Sequence, residues 1–307
     1  MLRGVTFLSA VLATTAAALS QEKVDLRPHF ARDEVQSMTV TLEQTIDQTV
    51  QGKPEHLSQR ITTGYTLKVE NVDDHGQATV SLRYDSQAYH MTSGTTTIDF
   101  DSTDPSTLAP QVAAPLAALI GQTYTFTVSP DGHVTSVTGL EKLANQVVGK
   151  LTGVEGPARL ATERVIRATL SETGVKATLQ NLFAPFPDHP VAVGESWPHT
   201  TQLSTGIPIN LETTCTLKSR DNGVATVEIS GHYSTPANST MELGQTKFTC
   251  EFQGDTRGRI QVQESTGWTV GSTTTQSLAG TATIISTTGD AQSMPVKIDS
   301  TLKAERH

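Results

Sequence analysis

Apolar and polar residues alternate along most of this chain, and a period of two predicts strands. Val40, Leu42 and Ile46 share one parity between about Val35 and Val50. Tyr65, Leu67 and Val69 do so in the next stretch, and Ala78, Val80, Leu82 and Tyr84 in a third. Turn signals separate these runs: Gly52-Lys53-Pro54, Asp73-Asp74-His75-Gly76, Asp131-Gly132 and Asp221-Asn222-Gly223. The Asn-Gly pair suits a tight hairpin with left-handed backbone. After Gly267 long Thr-rich strands are predicted through Trp268–Val270, Ala282–Ile284 and Val296–Leu302.

In the middle the period becomes 3.6. Ala158, Ala161, Thr162, Val165, Ile166, Thr169 and Leu170 form the stripe of an amphipathic helix begun at Pro157 and stopped at Gly174. Arg159, Glu163, Arg164 and Arg167 take the opposite face, with Glu163 and Arg167 spaced to pair across one turn. A second helix follows, with Val175, Leu179, Leu182 and Phe183 inward, and ends at Pro185 and Pro187. An apolar run from Leu108 to Ile120 predicts a further short helix on the sheet, with a lid as the alternative.

The β-rich passages repeat one another. Thr66-Leu67-Lys68 leads to Gly76-x-Ala78-Thr79-Val80, and Thr216-Leu217-Lys218 to Gly223-x-Ala225-Thr226-Val227. Each continues to Gly-Gln-Thr (Gly121 to Thr123, Gly244 to Thr246), a strand, and a turn glycine before x-Val or x-Ile (Gly132, Gly258). The predicted class is therefore mainly β with a helical insertion (α+β): duplicated curved antiparallel sheets covered by two or three short amphipathic helices. The boundaries are a signal peptide over 1–20, a first β repeat over 21–139, a helical connection over 140–190, and a second β repeat over 191–307. One continuous sheet and two separate ones are both compatible with the pattern.

Composition narrows the class further. With 17% charged residues, 5% aromatic ones and a net charge of -9, non-specific binding to nucleic acid or anionic lipid is disfavoured. Arg3, the apolar Val5–Ala18 and the small-x-small Ala18-Leu19-Ser20 read as a cleaved signal peptide, with a mature start near Gln21. No stretch is apolar enough for a transmembrane anchor, so a periplasmic or extracellular location is expected. In such a compartment Cys215 and Cys250, both on the core parity of their strands, are a candidate disulfide, with two buried free thiols as the alternative.

Reactive clusters are scarce in the sequence. Asp99 and Asp101 in Asp-Phe-Asp-Ser-Thr fit the short D-x-D-x-T pattern of haloacid-type phosphotransferases, but here it ends a Thr-rich strand instead of opening a parallel α/β sheet. Ser300-x-x-Lys303 mimics an acyl-enzyme motif without its companions. The nine histidines form no compact metal pattern; a site assembled from distant residues, for example His90 with His232 in comparable strands of the two copies, is the alternative. Asn238-Ser-Thr is a glycosylation sequon. No catalytic residue, metal site or cofactor is expected.

Leu82-Arg-Tyr-Asp-Ser86, Ile98-Asp-Phe-Asp-Ser102, Leu119-Ile-Gly-Gln122, Val128-Ser-Pro-Asp-Gly-His-Val-Thr-Ser-Val-Thr-Gly139 and Val193-Gly-Glu-Ser-Trp197 resemble a family of exported bacterial proteins known as a domain of unknown function. The resemblance implies architecture and compartment and transfers no catalytic residue. In shape alone the predicted fold is similar to periplasmic lipoprotein carriers. The functional expectation is a non-catalytic exported protein that binds a hydrophobic small molecule or lipid between helices and sheet, through Val165, Ile166, Leu179, Leu182 and Phe183. The alternative is a structural or interaction module with an envelope protein as partner.

Overall fold

The computed structural model describes residues 22–50, 52–104, 106–107, 113–151, 155–183, 186–204, 208–236, 239–243, 246–285 and 291–307. The stretch read as a signal peptide, Asn238 and residues 108–112 lie outside this set. The alternating stretches form β1 (Val35–Val50), β2 (Lys53–Val72), β3 (Ala78–Ser93), β4 (Thr96–Asp101), β5 (Thr123–Val128) and β6 (Val134–Thr138). After the helical region come β7 (Ser196–Ser204), β8 (Pro208–Asp221), β9 (Val224–Ser234), β10 (Thr240–Leu243), β11 (Thr246–Gln263), β12 (Thr269–Ile285) and β13 (Ala291–Arg306). The helices are α1 (Ala114–Leu119), α2 (Leu140–Gly149), α3 (Gly156–Thr169) and α4 (Glu172–Phe183).

All these strands join one antiparallel sheet in the order β6-β5-β3-β2-β1-β13-β12-β11-β9-β8-β7, with β4 on β3 and β10 on β11. The chain thus runs two successive meanders, and its first strand closes on its last, from Met38 opposite Arg306 to Gln48 opposite Val296. That pairing makes the sheet single and continuous. Asn222 and Gly223 both have positive φ (52° and 76°), as a two-residue hairpin of matching twist requires. Gly258, expected at a turn, instead lies inside β11 opposite Thr274.

One face carries the core. Leu67, Val69, Val80, Leu82, Tyr124 and Phe126 pack with Leu143 and Val147 of α2, Ile166 of α3 and Val175 and Leu179 of α4. A second cluster gathers Val24, Leu26, Val191, Trp197, Cys215, Leu217 and Val227. A third joins Tyr89, Phe100 and Ala113, with Leu116 and Ala117 of α1 packed against it.

The sheet curls. At about 4.8 Å per strand, the eleven strands of the path would span about 48 Å if flat. Yet α4, about 18 Å long at 1.5 Å per residue, touches both terminal strands, β6 and β7. His133 beside β6 also lies close enough to His199 on β7 for its charge to be felt there. Glycines permit the bend: a Cβ on Gly254 would overlap the Ser277 carbonyl, and one on Gly280 the Glu251 carbonyl. Gly231 and Gly258 are similarly crowded by the neighbouring strands' backbone.

The helices depart from their predicted spans. The first stops at Thr169, and Gly174 falls inside the next, where its bare Cα lets α4 close on the Ala168 and Thr169 carbonyls. Ile166 and Leu170 are buried, but Val165 is 55% exposed. The physical reason is Arg159, whose guanidinium donates to the carbonyls of Leu151 (2.9 Å) and Val148 (3.3 Å) at the end of α2 and so draws its own flank of α3 inward. Glu163 accordingly pairs with Arg159 at 2.9 Å, while Arg167 donates to Asn145.

Register also separates the cysteines. Cys215 lies opposite Ile229, and Ile229 opposite Gly258. Cys250 is eight residues further along β11, about 27 Å at 3.4 Å per residue, so no bridge forms and both thiols are free and buried. Burial pushes the Cys215 thiol up to about 11.

Two outcomes follow from this packing. Denatured protein without reductant should titrate two thiols, and a count of zero would contradict the register. In urea unfolding, Gly254→Val should lose roughly 3 kcal/mol or more by overpacking, whereas Gly149→Ala, in open space at the end of α2, should gain up to about 1 kcal/mol.

Candidate functional site

Strand parity gives the sheet two chemically distinct faces. On the core face the long strands β1, β2, β11, β12 and β13 carry cross-strand rows beyond the central core cluster, one of them running into the third cluster at Ile61 and Tyr89. One row reads Leu211, Tyr233, Gly254, Leu278, Ile298, Ile46 and Leu57 across seven strands. Another, four residues along, holds Thr274, Leu302, Leu42, Ile61 and Tyr89. Leu42, Ile46, Leu57, Ile61, Ile298 and Leu302 are all half-buried.

Between these rows runs a neutral polar one: His199, Thr213, Gly231, Thr256, Gln276, Ser300, Gln44 and Gln59. Its members bond largely among themselves. Gln59 donates to Gln44 at 2.7 Å, the Tyr89 hydroxyl to Gln59 at 3.4 Å, and Ser300 to Gln276 at 3.4 Å. Thr256, 2% exposed, donates to the Thr275 carbonyl, and Thr213 to that of His199. Buried hydroxyls and amides with partners cost little, and this row carries no carboxylate or ammonium.

The opposite face is charged and hydroxylic. A cleft of about 750 Å³ there is lined by Glu43, Arg60, His90, Asp255, Arg257 and Asp299 among others. Arg60 pairs with Glu43 at 2.9 Å. The imidazoles are held by aspartates directly across the strands: His90 by Asp99 (2.5 Å), His232 by Asp255 (3.1 Å) and His56 by Asp47 (2.6 Å). Among the described residues no group of three or more potential metal ligands gathers.

The sequence candidates distribute as follows. Ile166 and Leu179 stand in the helix–sheet core, Leu179 at 1% exposure, Val165 faces solvent, and the side chains of Leu182 and Phe183 lie outside the described set. His90 and His232 sit on β3 and β9, six strands apart along the sheet. Asp99 is engaged by His90, and Asp101 accepts from the backbone and hydroxyl of Thr103, a local turn. Ser300 and Lys303 have opposite parity and point to opposite faces. Sequence reading missed the half-buried rows, although the shared parity of Leu42, Ile46, Ile298 and Leu302 is their signal.

His199, half-buried at the end of the polar row, has its imidazole pushed below 6.5 by desolvation and, secondarily, by the His133 charge. Its unfolded form therefore takes up a proton at higher pH than its folded form, so stability should decline as pH falls below about 6.5. His199→Gln should flatten that part of a stability-against-pH curve; an unchanged slope would contradict the assignment.

Among the described residues no helix is long and apolar enough to cross a membrane. No curated protein matches the chain. Among solved structures, Pseudomonas aeruginosa OccK7 (OpdD) is 7% identical over 89% of this chain and 99% of its own, with a TM-score of 0.20. Salmonella typhi OmpF in complex with daunomycin is 6% identical over 87% and 98%, with a TM-score of 0.19. Scores this low establish no common fold. Residues 75–269 match the model of a family of unknown function, DUF6263, and the chain belongs to that family.

Proposed function

We propose that this is an exported, non-catalytic binding protein that takes up a hydrophobic or amphipathic ligand on the core face of its long strands. The observation that carries this reading is the pair of half-buried apolar rows flanking a neutral polar one, beyond the reach of the central core cluster. The site thus moves from the helix–sheet interface, where Phe126, Leu143, Val147 and Leu179 already fill the space, to the half-buried rows of the same face. Covering the still exposed part of each aliphatic side chain is worth roughly 0.5 kcal/mol, and the six together favour a lipid-like chain. The two meanders read as diverged copies of one β unit, since β2–β3 and β8–β9 carry the repeated Thr-Leu-Lys and Gly-x-Ala-Thr-Val segments. The predicted signal peptide supports an extracytoplasmic location.

Organic extraction of protein purified from its own host, followed by mass spectrometry, should release a lipid. A fluorescent fatty-acid probe should saturate at one site and bind at least tenfold more weakly to Ile46→Asp and Ile298→Asp, with Thr45→Lys on the other face unchanged. Thermal unfolding of each variant separates lost binding from lost fold. Empty extracts with no saturable probe binding would defeat the proposal in favour of a solid interaction module.

A further inference from the structure

We infer that the second meander contains a peptide-acceptor groove, which this chain fills with its own residues 22–30 and which accepts the same extended segment in trans. The segment has no partner strand of its own along most of its length, yet it is tied down at both ends and buries its apolar residues between them. Val24 exchanges two backbone hydrogen bonds of 2.9 Å with Val191, as an added antiparallel strand would. The His29 amide donates to the Thr266 carbonyl at 2.8 Å.

Side chains alternate as a groove requires. Val24 and Leu26 point inward, Leu26 to 1% exposure, and complete the cluster of Trp197, Cys215, Leu217 and Val227. Asp25 and Arg27 form an ion pair with each other nearer the surface. At one end Lys23 meets Glu195 at 3.0 Å, and Arg220 donates to the Glu22 carbonyl at 2.9 Å while its guanidinium is fixed by Glu264. At the other end Phe30 packs edge-on against Trp268 with centroids 5.4 Å apart.

The receiving wall is shaped for backbone. Gly267 has φ of 71°, and a Cβ there would overlap the Arg27 carbonyl and stand 2.6 Å from the Pro28 Cα. A turn residue kept bare at the point where another segment's main chain crosses is the mark of a seat for an extended peptide, as is the alternation of Val24 and Leu26 with charged neighbours. What the groove recognises is therefore an extended segment with apolar residues two apart and a reversed-charge pair outside them.

The test uses the full chain with Cys250→Ser, so that Cys215 on the groove floor is the one thiol. Maleimide labelling of Cys215 should be slow, and at least tenfold faster in Val24→Asp/Leu26→Asp. Adding a synthetic peptide of residues 22–30 should restore protection, and a scrambled peptide should not. The same strap variant with Cys215→Ser reports on Cys250, which should stay slow. Unchanged Cys215 labelling, failure of the peptide to protect, or equal acceleration at Cys250 through global unfolding would each overturn the inference.

Discussion

A sheet of this breadth can bury one face only by bending, and the bend rests on positions that lack side chains. Gly231, Gly254, Gly258 and Gly280 line the passage from β9 through β11 to β12, where neighbouring backbone occupies the space of a Cβ. With the crease in place, β6 and β7 come round to a shared helix and the core face turns inward. Without it the same apolar parity would be spread over a flat surface too wide for four short helices to pack against.

The helices fit this geometry as filling. Their buried residues meet β2, β3, β5 and β6 at one end of the sheet, and Arg159 stitches α3 to the end of α2. The strands next to the β1–β13 seam run on past that plug, which leaves an apolar and neutral polar lining half open to water. Beside these rows charge is kept to the opposite face, where histidines and aspartates pair directly across strands. This separation of chemistry by parity supports the binding role proposed above: the half-buried rows carry no carboxylate or ammonium, and desolvation disfavours the charged form of the His199 imidazole at their end.

Local features were legible in the chain, because a strand's period and a hairpin's residues are local. β1 was readable to its ends, and Asn222-Gly223 and Asp131-Gly132 make the turns their residues demand. Non-local features were not. Nothing near Val35 announces that it begins the strand that will pair with β13, and the separation of Cys215 from Cys250 depends on two successive registers. Gly258 looked like a turn because a glycine at a turn and one at a crease have the same sequence signature. Val165 turns outward because a helix stripe defines an apolar side, not its rotation, and the Arg159 guanidinium reaching two carbonyls favours the rotation seen.

The curl is most directly tested by one distance. Spin labels at Thr135 on β6 and Thr200 on β7, both exposed, in a background of Cys215→Ser and Cys250→Ser, report it by pulsed electron resonance. Two strands that share a helix of about 18 Å place the labels within about 30 Å. A distribution centred near the flat-sheet span of about 48 Å would contradict the account.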